Sequence, residues 1–165
     1  MRVILIGFMG AGKTSVARLL DANYLDTDEL LVEKFGQSIS DYAAEFGTEK
    51  FRQQEEKLLA ELLNSSSASP IATGGGIVES ARNQKLLAAH GQVVYLQADF
   101  PCLLERIKND TDNQRFIFQN SDPEVFEQKY KKRLPIYEHL ADLTLDTTDL
   151  TPAETAKIIR EKFPI

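Results

Sequence analysis

Apolar residues along this chain fall into two alternating patterns: short continuous runs, and longer stretches in which they recur at every third or fourth position. The runs in "RVILIGF", "YLDTD", "PIATGGG", "QVVYLQA" and "LTLDTT" predict strands, and their unbroken apolar character is that of strands buried on both faces. Between them, "KTSVARLLDA" places Val16, Leu19 and Leu20 at helical spacing. "ELLVEKF", "TEKFRQQEEKLLAELL", "ARNQKLLAAHG", "PCLLERIKN", "VFEQKYKKRLPIYEHLA" and "TPAETAKIIREKF" continue the helical pattern. Ser38 and Asp41 have the spacing of a capping box, Thr151 reads as a cap with Pro152 at the first helical position, and Pro135 is expected to kink or bound a turn. "NSSSAS" is a polar loop. "DTDNQRFIFQNSDPE" carries polar residues and Pro123 around an isolated aromatic pair and is expected to be a mobile excursion, with the lid segment taken as 109–123.

Strands alternating with helices imply an α/β fold, with a central parallel sheet of about five strands flanked by helices. One long helical insertion, residues 29–64, separates the second strand from the third. With 165 residues, no internal repeat and no shift in composition, residues 1–165 are expected to form a single domain.

Composition narrows the class. An apolar content of 42% fits a globular chain, and no apolar stretch reaches the length of a membrane span. Cys102 is the lone cysteine, and no leader-like segment precedes the first strand, so a reducing, cytoplasmic setting is expected. A net charge of −6 speaks against a nucleic-acid surface; Lys131, Lys132 and Arg133 form the one tight basic cluster. Cationic groups for anionic substrates must therefore be local. His90 and His139 stand apart from any cysteine cluster, which gives no zinc pattern.

The chemistry begins at "GFMGAGKT", Gly7 to Thr14, a complete G-x-x-x-x-G-K-T between a strand and a helix. Amides at Gly10, Ala11 and Gly12 and at the following helix start, through Ser15, are placed for phosphate oxygens. Lys13 is placed for the β- and γ-phosphates and the Thr14 hydroxyl for magnesium. The loop names only a phosphate donor, since GTPases, ATPases and small-molecule kinases all use one. No "NKxD" run for guanine accompanies it, and the size and layout point to a kinase for a small metabolite.

Asp26 and Asp28 lie two apart in "LDTD". On extended chain they face the same way, so Asp26 is assigned to the metal and Asp28 to the acceptor hydroxyl as base. The alternative is a helix cap at Asp28 with Asp26 as solvated charge. Gly74, Gly75 and Gly76 follow a strand, where ligands of open sheets bind, either as bare amides or as a simple turn. Arg52 has Glu55 three residues on and Arg133 lies on a later helix, while Arg115 falls in the excursion, whose closure would bring it onto the transferring phosphoryl. Each is either surface charge or functional, and two converging arginines would form a fork for an acceptor carboxylate. Phe51 is placed at the acceptor pocket.

Taken together these residues resemble the shikimate kinase family: the phosphate loop, "DTD" at 26–28, "SISDYAAEFGTEKFRQQE" at 38–55, "ATGGG" at 72–76, "NQR" at 113–115 and "RLPIYEHLAD" at 133–142. The resemblance implies a nucleoside-monophosphate-kinase-like fold with a mobile lid and a magnesium- and ATP-dependent transfer to the 3-hydroxyl of shikimate, a step toward chorismate and the aromatic amino acids. It implies Asp28 as base and Asp26 at the metal. Arg52 and Arg133 would hold the carboxylate, with the amides around Gly75 and Gly76 at the acceptor, Arg115 in the lid near the phosphates, and Arg106 against adenine. Small kinases of this kind commonly act as monomers. The chain departs from the family pattern at Tyr42 and Ala43, where "IF" is usual, at Thr48, where glutamate is usual, and at "RFIF" (115–118) in place of "RPLL". A phenylalanine lost at position 43 is worth about 1–3 kcal/mol of packing. A kinase for another hydroxy acid such as gluconate would not need all of "DTD", Arg52, "GGG" and Arg133. A non-catalytic nucleotide-binding protein would need neither Asp28 nor Arg115.

Overall fold

Each predicted strand run contains a strand shorter than the run itself in the computed structural model, which describes residues 2–109 and 122–165. They are β1 (Ile4–Ile6), β2 (Leu25–Asp26), β3 (Ile71–Ala72), β4 (Val93–Gln97) and β5 (Leu143–Asp146), all parallel, in the order β2-β3-β1-β4-β5. β1 lies in the middle, and Ile4, Leu5 and Ile6 are completely buried, as the continuous apolar run requires of a strand covered on both faces.

Helices flank the sheet: α1 (Lys13–Leu20), α2 (Thr27–Phe35), α3 (Ile39–Phe46), α4 (Thr48–Asn64), α5 (Ala81–His90), α6 (Phe100–Asn109), α7 (Pro123–Leu140) and α8 (Pro152–Lys162). α1 packs on α8, and α5 and α7 pack on β4. A single 3-10 turn, Ile77–Glu79, follows β3 and has no counterpart in the hydrophobic pattern. Between β2 and β3 the helices α2, α3 and α4 build an apolar cluster of their own around Leu31, Phe51 and Leu58, apart from the main core. Among the described residues no helix is long and apolar enough to cross a membrane.

Local chemistry explains most boundaries. Asp26 caps α2 by accepting from the amides of Asp28 and Glu29. Ser38 accepts from Asp41, and Thr151 and Glu154 form a complete capping box on α8. Three expectations shift. Asp28 lies in the first turn of α2 rather than on extended chain, because the Asp26 cap starts the helix at Thr27, two residues before the expected Glu29. Pro123 opens α7 behind the Asp122 cap, and Asn109 closes α6, so both belong to helices rather than to an excursion. Pro135 sits inside α7, which continues to Leu140: the buried Arg133, Tyr137 and Leu140 hold the last turns against the sheet despite the missing amide. Residues 110–121, the rest of the expected lid, lie outside the described residues.

Leu5→Ala removes a wholly buried side chain from the central strand. It should destabilise the protein by about 2–5 kcal/mol in urea unfolding.

Candidate active site

The carboxyl ends of β1, β2 and β3 deliver the phosphate loop, the Asp26–Asp28 pair and the glycine triplet to one edge of the sheet. Gly12 ends the loop at φ 86°, a left-handed conformation that a side chain would strain. α1 begins immediately after it. Whereas α2, α3, α5, α7 and α8 each have a side-chain cap, the N-terminus of α1 has none and carries no acidic residue in its first turn. Its first amides are thus left without a side-chain acceptor at the positive end of the helix dipole.

Lys13 is buried, and its Nζ donates to the carbonyls of Gly7 (2.8 Å) and Phe8 (2.9 Å). Burial lowers its pKa to about 8; Asp28 and Asp26 pull it back up, so it remains an ammonium at neutral pH. The Thr14 hydroxyl donates to Asp26 Oδ2 at 2.5 Å. Asp26 Oδ1 meanwhile accepts from Asp28 N (2.9 Å) and Glu29 N (3.2 Å). Asp26 is therefore both the helix cap and the partner of the loop threonine, and it is buried rather than a solvated charge.

Asp28 is half-buried, and its pKa is pushed up to about 7, first by burial and then by the neighbouring Asp26 and Glu55, against Lys13 and Arg52. The glycine triplet explains how it fits. A Cβ on Gly74 would lie 2.6 Å from Asp28 Oδ1 and 3.2 Å from Glu55 Oε2, and one on Gly76 would collide with the Arg52 guanidinium. The first of the three amides is not bare: Gly74 N donates to the buried Thr27 hydroxyl at 2.9 Å. The expected ligand-facing amide at Gly74 is thereby corrected. This glycine makes room for a carboxylate instead.

Arg52 binds Glu55 Oε1 through Nη1 (2.7 Å), the i,i+3 pair expected from the sequence, and Glu79 Oε2 through Nη2 (3.2 Å). Arg133 Nη2 reaches the same Glu79 Oε2 at 3.0 Å. Arg133 is buried, its guanidinium carbon lies 5.7 Å from the centre of the Phe8 ring, and its Nε has no hydrogen-bond partner. Burial opposes ionisation of Glu79, but Arg133, Arg52 and Lys132 together outweigh it and hold its carboxyl below the ordinary range. Burial raises the Glu55 pKa, with Arg52 opposing. Arg52 also lies 5.0 Å over Phe51, a buried ring from the insertion's apolar cluster. On the other side, Arg106 donates to the hydroxyl (3.1 Å) and carbonyl (2.6 Å) of Thr147, just past β5.

All the site residues expected from sequence that fall among the described ones line one cleft of about 1620 Å³. Gly10, Ala11, Gly12, Lys13, Thr14, Ser15 and Arg106 form one part of the lining; Asp26 and Asp28 come next, and Phe51, Arg52, Gly74, Gly75, Gly76 and Arg133 form the other part. That volume exceeds the roughly 300–1,000 Å³ of a single-ligand pocket and leaves room for a donor and an acceptor together. Arg115 lies outside the described residues. Ala43 lines the cleft; Tyr42 does not, but stacks on Phe35 at 3.7 Å, so it does not stand in for an aromatic wall. Sequence reasoning missed Thr27, Glu79 and Thr147. Thr147 follows a strand's carboxyl end, where ligands of open sheets bind, and that position was its one available signal.

A phosphate loop between the central strand of a parallel sheet and an uncapped helix, opposite a carboxylate and two arginines in the same cleft, defines a P-loop small-molecule kinase. The family model described as shikimate kinase matches residues 9–163, and the chain belongs to that family. The shikimate kinase of Streptococcus gordonii is 46% identical over 97% of this chain and 99% of its own length. Among solved structures, the Acinetobacter baumannii shikimate kinase in complex with shikimate superposes with a TM-score of 0.87 at 33% identity, covering 98% of this chain and 92% of its own. The Bacteroides thetaiotaomicron enzyme gives 0.89 at 25% identity, over 100% and 99%.

Gly76→Ala should displace the Arg52 guanidinium while leaving the phosphate loop intact. Steady-state kinetics should show acceptor KM raised by about tenfold or more, with ATP KM within about twofold of wild type.

Proposed function

We propose that the protein transfers the γ-phosphate of ATP to the 3-hydroxyl of shikimate, on the path to chorismate and the aromatic amino acids. The observation that carries this reading is the position of Asp28, set between the Lys13–Thr14 end of the cleft and the Arg52–Arg133 fork. A hydroxy acid needs this arrangement, with a base at its hydroxyl and paired guanidiniums at its carboxylate. The similar Acinetobacter baumannii shikimate kinase was solved in complex with shikimate.

In the proposed mechanism the loop amides from Gly10 to Ser15 and the ammonium of Lys13 bind the phosphates of ATP, and Lys13 exchanges its carbonyl partners for phosphate oxygens. Arg106 packs against adenine. Arg52 and Arg133 bind the acceptor carboxylate, while Phe51 and the Gly75–Gly76 backbone bound the ring. Asp28 then removes the proton of the attacking hydroxyl. With a pKa near 7, this carboxylate is ionised in a useful fraction at neutral pH and is basic enough to accept that proton. Arg115 is assigned to the transferring phosphoryl group on the resemblance alone.

Magnesium fits the residues present. Thr14 Oγ1 and Asp26 Oδ2 are hard oxygen donors already within hydrogen-bond distance of each other, beside the uncapped helix start. Among the described residues no group of three or more His, Cys, Asp or Glu side chains could hold a metal. A kinase magnesium typically needs only one or two protein ligands, the phosphates and water supplying the rest. When bound, the ion neutralises charge on the β- and γ-phosphates. Every contact in this scheme comes from one chain, and the reading is of a monomer in the cytoplasm acting on two small molecules.

The test is magnesium-dependent ADP release with shikimate, gluconate, quinate or no acceptor, with the product identified by mass. Turnover with shikimate alone is expected; turnover with gluconate instead would replace the acceptor assignment. Asp28→Asn should lower kcat by about 10²–10⁴-fold while ATP still binds. Arg133→Ala should raise acceptor KM by about 10–100-fold and leave that for ATP nearly unchanged. Removing magnesium with EDTA should abolish transfer in wild type.

A further inference from the structure

The two arginines of the acceptor corner converge on a carboxylate that the proposed mechanism does not use. Glu79 Oε2 lies 3.2 Å from Arg52 Nη2 and 3.0 Å from Arg133 Nη2, so one oxygen bridges both guanidiniums. Its other oxygen, Oε1, lies 3.7 Å from Lys132 Nζ, which points to solvent. Arg52 and Arg133 both line the cleft, whereas Glu79 does not. The bridge is therefore held outside the cleft lining, while the two arginines it joins are part of that lining.

The base that carries Glu79 is built to stay in place. Ile77 and Val78, the other two residues of its 3-10 turn, are completely buried. The Asn83 amide donates to Ile77 O (2.9 Å) and that of Gln84 to Val78 O (2.8 Å). Ser80 caps α5 and also donates to Glu56 of α4, the helix that carries Arg52. The turn is thus tied to α4 and α5 at once. Arg52 comes from α4 and Arg133 from α7, and Glu79 binds both.

From this geometry we infer that Glu79 is a positioning residue for the acceptor site: its carboxylate offsets the repulsion between the Arg52 and Arg133 guanidiniums and fixes their spacing before a carboxylate-bearing acceptor arrives. Two like charges held close in a partly buried corner would otherwise turn apart or draw in other anions. Preorganising them moves the ordering cost from binding to folding. The role rests on the proposed function in that the acceptor must carry a carboxylate. Glu79 touches neither substrate, and its effect passes through the arginines.

The test compares wild type, Glu79→Ala and Glu79→Gln with shikimate, with its methyl ester, and with ATP varied separately. Glu79→Ala should raise the KM for shikimate about tenfold, with kcat and the KM for ATP within about twofold of wild type. Glu79→Gln keeps an oxygen that accepts from both arginines and should recover part of the loss. For the methyl ester, which has no carboxylate for the arginines to hold, the difference between wild type and Glu79→Ala should largely vanish. An unchanged shikimate KM in Glu79→Ala would overturn the inference, and a lowered one would show that Glu79 competes with the acceptor instead. Parallel losses in kcat and both KM values with a reduced Tm would reduce Glu79 to a structural residue and overturn it as well. Wild type with no shikimate turnover would defeat the proposed function and this inference together; wild-type turnover with indifferent Glu79 variants defeats the inference alone.

Discussion

The two oxygens of the Asp26 carboxylate fasten two parts of the molecule to each other. Oδ1 receives the amides of Asp28 and Glu29 and thereby sets where α2 begins; Oδ2 receives the hydroxyl of Thr14 in the first turn of α1. A helix start and a phosphate loop from different parts of the sheet are registered through one buried side chain. Asp28 owes its place to the first of these bonds, since a helix begun one residue later would aim it elsewhere. The glycine at 74 completes the fit by leaving space for the Asp28 oxygen, and its amide is tied back to Thr27.

Around that fastening, burial works on opposite charges in opposite directions. It lowers Lys13 and raises Asp28, each toward the neutral form, while their mutual attraction resists both changes. The result is a cation that stays charged and a carboxylate poised near neutrality in the same cleft. Farther along, Glu55 and Glu79 accept from Arg52 and Arg133, which places a carboxylate beside each guanidinium in a corner where Arg133 is buried. Perturbed groups at a cleft are a mark of function, and here they coincide with the loop and the acceptor fork.

Much of this was legible in the linear sequence because the informative signals are local. The phosphate loop is a contiguous motif, the strand runs and helical spacing gave the sheet-and-helix order, and Arg52–Glu55 is an i,i+3 pair. What failed to show depends on contacts between distant segments. Glu79 meets Arg133 across 54 positions and Arg52 across 27, with no spacing rule to announce either. Thr147 meets Arg106 across 41. The start of α2 was missed by two residues because "LDTD" reads equally as the end of a strand or as a cap followed by a helix; tertiary contact with Thr14 decides between them. Pro135 does not end α7 for a related reason, since the packing of that helix outweighs a local breaker. The departure at Ala43 was visible from sequence, but only the stacking of Tyr42 on Phe35 shows that the neighbouring ring faces away from the cleft.

The pairing of each acceptor-side arginine with a carboxylate also bears on how a substrate finds the site. A chain of net charge −6 repels anions at long range, and Arg52 and Arg133, already matched by Glu55 and Glu79, project little field of their own beyond the cleft. Diffusional encounter is then unguided, and raising the ionic strength removes more repulsion than attraction. Such a cleft gains its selectivity at contact, where guanidinium and carboxylate geometry is read over a few ångströms, and not during approach.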